Sequence, residues 1–82
     1  MRVRVLYFAA VREIVGRDEE DVELPESVLT VASFVSWLEG ARSVLAGRLA
    51  SVRIARNECF ARADEQLAEG DVLALIPPVA GG

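Results

Sequence analysis

The last two residues, Gly81 and Gly82, and the free carboxylate they carry are the groups best placed to do chemistry, because the rest of the chain lacks the usual reagents. There is no histidine, which removes a Ser-His-Asp triad, an imidazole base and a His-ligated metal. All nine basic residues are arginine, so no lysine serves as Schiff-base nucleophile, phosphate-loop lysine or acceptor of an isopeptide bond. The single Cys59 has no partner thiol for a disulfide or a metal site and reads as a small strand residue. That cysteine usage suits a reducing cytoplasm.

A carboxylate is a poor electrophile and needs activation. Adenylation would make it an acyl-phosphate anhydride, and a sulfur donor would then displace the nucleotide to leave a thiocarboxylate. Glycine at both final positions keeps any Cβ away from the reacting carbon and lets the end pass through a narrow slot. Pro77 and Pro78 lack the donors to continue a sheet and stiffen the exit from the last strand. The six residues from Pro77 to Gly82 extend at most about 20 Å, enough to enter a neighbouring active site. The chain thus divides into a folded domain, residues 1–78, and a reactive tail, residues 79–82. No cofactor or metal is expected to reside on it, only transient AMP and sulfur at the C-terminus.

The elements that must carry this tail follow from periodicity. Arg2 to Phe8 are strand formers with early alternation, Ala9 to Val15 suit a helical turn stopped by Gly16, and the acidic run Asp18 to Asp21 reads as a solvated turn. Asp21 to Leu24 alternate before Pro25, giving a strand paired back on the first. Thr30 is a helix N-cap with Leu29 and Phe34 as a hydrophobic staple. Val31, Phe34, Val35 and Leu38 form one apolar stripe with Trp37 at its edge, and Gly40 is placed to close the helix. Val44 to Leu49 suggest a broken helical turn around Gly47. Val52 and Ile54 alternate with Arg53 in a third strand, Asn57-Glu58 form a tight turn, and Cys59 to Ala61 return as a short strand. Asp64 to Gly70 is a turn or helical loop pinned by Leu67. Val72 to Ile76, apolar throughout, reads as a strand covered on both faces.

An α+β sheet with one main helix across it results, and parallel, adjacent terminal strands would make it a β-grasp. Strand parity sends Arg2, Arg4, Leu6 and Phe8 to one face and Val3, Val5 and Tyr7 to the helix. Leu73 and Leu75 join the core, leaving Val72, Ala74 and Ile76 opposite. One helix covers one face only, so Leu6, Phe8, Ile76 and Phe60 are expected to form an exposed apolar patch of the kind that marks partner surfaces. The alternative is that Ala41–Ala50 or the loop around Leu67 folds across that face. At 82 residues there is room for one domain, and 52% hydrophobic with 27% charged residues is a globular balance. A net charge of −4 argues against nucleic acid. No apolar run approaches the ~18 residues a membrane helix needs; Arg2 and Arg4 before the run Val5 to Val11 imitate a signal peptide, but Arg12 and Glu13 end that run at the minimum length for one, and it reads as a strand.

The segments Val5-Leu6-Tyr7-Phe8-Ala9-Ala10-Val11-Arg12-Glu13 and Gly70-Asp71-Val72-Leu73-Ala74-Leu75-Ile76-Pro77-Pro78-Val79-Ala80-Gly81-Gly82 resemble the small, sulfur-carrier subunits of molybdopterin synthases, which are ubiquitin-like β-grasp proteins. The spacing between the segments fits too, so the resemblance spans the chain, although Arg17 to Ala50 add little. A Gly-Gly end alone is common to all ubiquitin-like carriers; Phe-Ala-x-x-Arg-Glu paired with Pro-Pro-Val-x-Gly-Gly is more specific. The resemblance implies that Gly82 is adenylated by a ubiquitin-activator-like enzyme, takes sulfur from a donor protein, and enters the large synthase subunit in a heterotetramer. There it would deliver sulfur to cyclic pyranopterin monophosphate. Gly81 would serve the tail's conformation, and Leu6, Phe8, Phe60, Ile76, Pro77, Pro78, Val79 and Ala80 would contact partners. The chain would not be catalytic alone. Rival readings are a sulfur carrier for thiamin or another pathway, a ubiquitin-like protein modifier, and an interaction domain with an inert tail.

Overall fold

The computed structural model describes residues 1–78, in which five strands form one mixed sheet. Strand β1 (Arg2–Tyr7) leads directly into helix α1 (Ala9–Val15), followed by β2 (Glu19–Glu23) and the main helix α2 (Val31–Ala41). A single 3₁₀ turn (Ser43–Leu45) precedes β3 (Arg53–Arg56), β4 (Cys59–Phe60) and β5 (Val72–Ile76). The strand order is β2-β1-β5-β3-β4. β1 and β5 are parallel, in register Arg4↔Val72 to Tyr7↔Leu75, while β1–β2, β3–β5 and β3–β4 are antiparallel. The terminal strands are therefore adjacent, parallel and central, as the β-grasp arrangement requires.

Side-chain alternation on these strands decides the layers. Val3, Val5, Tyr7, Val22, Ile54, Leu73 and Leu75 are buried on the face that α2 covers with Val31, Phe34 and Leu38. Trp37 packs partly buried against this core. Each fully buried Val, Leu or Phe contributes about 1.5–3 kcal/mol. Leu45, Leu49 and Leu67 join the same core, so neither Ala41–Ala50 nor the loop around Leu67 crosses to the other face. Among the described residues, the apolar run of β5 accordingly has no element covering its outer face: Val72 and Ile76 are only half-buried there, which corrects the expectation of a strand enclosed on both sides. Among the described residues, no helix is long and apolar enough to cross a membrane.

Several boundaries differ from the sequence expectation for physical reasons. β2 begins at Glu19, inside the acidic run read as a turn, because Glu19 and Glu20 pair with Leu6 and Val5 and arginines accept their charge. β1 stops at Tyr7, β3 starts at Arg53 and β4 ends at Phe60. α2 passes through Gly40 and ends at Ala41, where the Arg42 N–H donates to the Leu38 carbonyl at 2.8 Å. Thr30 is the N-cap and forms a reciprocal box: the Ser33 N–H donates to Thr30 Oγ1 at 3.2 Å, and the Thr30 N–H to Ser33 Oγ at 2.9 Å. The staple is absent, since Leu29 is 54% exposed. Its carbonyl accepts from the Leu67 N–H at 2.9 Å, which fixes that stretch of backbone, and Val28 supplies a buried side chain instead. Gly16 ends α1 with φ +88°, as the left-handed cap demands.

Two buried carboxylates tie distant elements together. The Glu20 side chain is nearly enclosed; Tyr7 Oη donates to Glu20 Oε2 at 2.5 Å, Arg42 Nε donates to the same oxygen at 3.1 Å, and Arg42 Nη2 donates to Oε1. These bonds join β1, β2 and the end of α2. Asp71 accepts from Arg56 Nε at 2.7 Å, Asn57 Nδ2 at 3.0 Å and the Ala68 N–H at 2.8 Å, securing the β3–β4 hairpin to the start of β5. The bonds from Arg42, aided by Tyr7, hold Glu20 below its ordinary 4.5. Burial pushes Asp71 up, but its three donors outweigh that and leave it below 3.8. Burial, reinforced by Glu20, pushes the Tyr7 phenol up, so it remains a donor.

The pH dependence follows. A carboxyl whose native pKa lies below its unfolded one contributes stability that is complete above the unfolded value and lost as pH falls through the native value. The melting temperature of the protein should therefore hold above pH 4.5 and drop below it. Glu20→Gln should lower the neutral-pH melting temperature and flatten the acid decline. Calorimetry showing parallel acid limbs for wild type and variant would remove Glu20 from this account.

Candidate functional site

The uncovered sheet face holds the candidate site. Leu6 on β1, Val72, Ala74 and Ile76 on β5, Ala55 on β3 and Phe60 on β4 share one face through the registers Leu6↔Ala74, Ala55↔Ala74 and Ala55↔Phe60. With Phe8 and Glu58 they line a concavity of about 290 Å³. Alanines at the centre and large side chains around them make the depression: Ala55 and Ala74 are buried, whereas Phe8 and Phe60 are 44% and 55% exposed.

Local backbone geometry sets the two rims. Phe8 is extended at φ −121°, ψ 151°, and Ala9 adopts φ +50°, so the strand breaks into α1 without a loop and Phe8 stays exposed at the break. A positive φ is unfavourable for alanine, by about 1–2 kcal/mol, so this turn is held by its surroundings. On the opposite side Asn57 and Glu58 have φ +51° and +72°, the two positive values of a tight hairpin turn, which returns the chain as β4 and brings Phe60 beside Ala55. Asn57 anchors the turn: its N–H donates to the Val72 carbonyl at 2.8 Å, and its Oδ1 accepts from the Val72 N–H at 2.9 Å.

Charge frames the apolar centre. Arg4 Nε bonds Asp21 Oδ1 at 2.9 Å and Arg4 Nη1 lies 3.3 Å from Glu19, forming an exposed ionic strip along β1 and β2. Such pairs contribute little to stability. Across the face, the Arg53 guanidinium carbon lies 3.8 Å above the centroid of Phe60.

The structure thus brings Leu6, Phe8, Phe60 and Ile76 to one concavity, with half-buried Pro77 and exposed Pro78 leading away from Ile76. Val79, Ala80, Gly81 and Gly82 lie outside the described residues. Ala55, Glu58 and Arg53 also frame this face and are not among the site residues expected from the sequence. The alternation of Val52 and Ile54 with Arg53 did carry the signal for two of them, since it places Arg53 and Ala55 on the face opposite the core. Cys59 sits exposed on β4.

Comparison with known proteins agrees with this arrangement. A molybdopterin synthase sulfur carrier subunit from Mycobacterium tuberculosis is 36% identical over 83 residues, covering 100% of this chain and 99% of its own. The crystal structure of SAMP1, a small archaeal modifier protein from Haloferax volcanii, superposes with a TM-score of 0.86 at 30% identity over the whole of both chains. A molybdopterin converting factor subunit 1 described as putative, from Pyrococcus furiosus, gives 0.84 at 33% identity, covering 96% of this chain and 99% of that one. The resemblance seen in the two terminal motifs therefore extends through the fold. The model of the ThiS family matches residues 5–82, from the middle of β1 to the final glycine, and the chain, a ubiquitin-like β-grasp protein, belongs to that family.

Proposed function

We propose that this chain is the sulfur-carrier subunit of a molybdopterin synthase, with Gly82 as the carrying residue. The observation that carries the reading is the full-length likeness to sulfur carrier subunits, in a chain whose own side chains offer no catalytic set. A Gly82 carboxylate oxygen attacks the α-phosphorus of ATP and pyrophosphate leaves. A persulfide on a donor protein then attacks the acyl carbon and AMP leaves; a thiol next cleaves the S–S bond of the resulting acyl disulfide, forming a disulfide with the donor's sulfur and releasing the thiocarboxylate. Its sulfur is delivered to cyclic pyranopterin monophosphate in the large synthase subunit, with which this chain forms a heterotetramer. The apolar face of Leu6, Phe8, Phe60 and Ile76 docks in turn on the adenylating enzyme and on the large subunit, and Pro77 to Ala80 lead Gly81 and Gly82 into each active site.

The intact mass of protein isolated from its host tests the chemistry. A fraction heavier than the encoded chain by the difference between one sulfur and one oxygen is expected. In a host lacking its own small subunit, the chain should restore molybdoenzyme activity such as nitrate reduction. Rescue of a thiamin auxotroph in its place would move the assignment to another sulfur pathway.

The likeness to SAMP1 favours a second use of the same terminus, acyl transfer from Gly82 to a lysine of a target protein. Target peptides bearing a glycine-glycine remnant on lysine would establish it.

A further inference from the structure

We propose that Arg53, braced on Phe60, is a recognition residue that selects partners presenting a carboxylate beside the apolar face, near the place where the tail leaves β5. This rests on the docking reading above and adds to it the partner's chemistry. Arg53 pairs with Ile76 across β3 and β5, so it stands at the end of the concavity from which Pro77 departs. It is diagonal to Phe60 on the same face, since Ala55 is the residue opposite Phe60, and diagonal neighbours are within reach of long side chains.

The guanidinium lies 3.8 Å over the ring. Stacking uses one π face of the group and leaves its in-plane N–H fork free to meet a carboxylate in bidentate fashion. It also limits the rotamers the side chain must lose when a partner arrives. Other arginines of the face are already engaged: Arg4 holds Asp21 and Glu19, and Arg2 approaches Glu23. Among the described residues, Arg53 has no carboxylate within ion-pair distance. The end of the concavity thus carries a positioned cation whose in-plane donors are unclaimed among the described residues, and Glu58 supplies negative charge toward its other end, near Val72. A partner with an apolar projection and an acidic group beside its tail-accepting slot matches that distribution in charge and direction. Reversed docking would set its acid against Glu58 and leave Arg53 unmatched.

The test titrates the full chain, with Arg53→Glu, Arg53→Lys and Arg53→Leu variants, into the large synthase subunit of the same organism at low and high ionic strength. Arg53 is exposed, so the fold should be retained, and circular dichroism checks this. Arg53→Glu should weaken binding at low salt by about tenfold or more, mainly through slower association, and the wild-type advantage should shrink as salt screens the pair. Arg53→Lys should restore only part of it, lacking the planar fork. A charge-reversed carboxylate on the large subunit should rescue Arg53→Glu. Unchanged affinity for Arg53→Glu, with wild type binding normally, overturns the inference alone; failure of wild type to bind overturns the functional reading beneath it. A wild-type chain that instead self-associates through Arg53 and Glu58 of two copies, and loses that association in Arg53→Glu, also overturns it.

Discussion

Appending one residue after Gly82 should reduce sulfur transfer more than about 100-fold while leaving the fold and the sheet-face affinity unchanged. The extended chain keeps both glycines but moves the terminal carbon by up to about 3.6 Å, and nucleophilic addition to an activated acyl carbon does not tolerate displacement on that scale. Deleting Gly82 shortens the reach by the same amount and should be equally damaging. Neither change touches the core, which among the described residues is assembled between Val3 and Leu75. Melting temperature and binding isotherms separate this outcome from misfolding. An extended chain that still transferred sulfur at the wild-type rate, with an intact mass proving it had not been trimmed, would show that the terminus is not the carrier.

Replacing Phe8 by aspartate should weaken association with the large synthase subunit by about 100-fold and leave the protein folded. Phe8 is an exposed aromatic lining the concavity, the type of residue that anchors interfaces, and a charge there would be buried against apolar groups on docking. The substitution is chosen for its backbone too. Phe8 is the N-cap of α1, has the extended conformation a cap needs, and supplies no capping hydrogen bond. Aspartate is among the preferred cap residues, so the helix start gains an acceptor as the face loses its anchor. Aspartate at the adjacent Tyr7, 2% exposed, should instead unfold the domain. Calorimetric titration beside a thermal melt reads both effects. A Phe8→Asp chain found unfolded at room temperature, or one binding normally, would remove the sheet face from the docking account.

Strand parity alone divided Val3, Val5 and Tyr7 from Arg4, Leu6 and Phe8, and the division holds because a pleated strand offers no other geometry. Nothing so local announces that Glu20 is buried. Its neighbours Asp18, Glu19 and Asp21 remain at the surface, and the donors that make enclosure of that one carboxylate tolerable include Tyr7 on the next strand and Arg42, more than a helix away in sequence. Asp71 is likewise not legible as the acceptor of three bonds, for the same reason: Arg56 and Asn57 arrive through the fold. Gly40 misled because glycine after an apolar stripe usually stops a helix, whereas here α2 runs one residue further before Arg42 turns the chain. The apolar patch was visible as a leftover of parity, but its concave shape depends on two alanines, Ala55 and Ala74, whose smallness matters only once β3 and β5 are known to be neighbours.

The parallel pairing of the first and last strands has a consequence for biosynthesis. β1 leaves the ribosome first, yet its central neighbour β5 is translated last, so the sheet cannot close on a chain that is still being made. The middle of the apolar face belongs to Val72, Ala74 and Ile76, and these same residues precede the terminal glycines. A polypeptide terminated before β5 loses the middle of this apolar face. If, as proposed above, an activating enzyme must dock on this face before reacting, folding proofreads the carboxylate: only chains synthesised through β5 present the face, and prematurely released fragments, each with a carboxylate of its own, would be passed over.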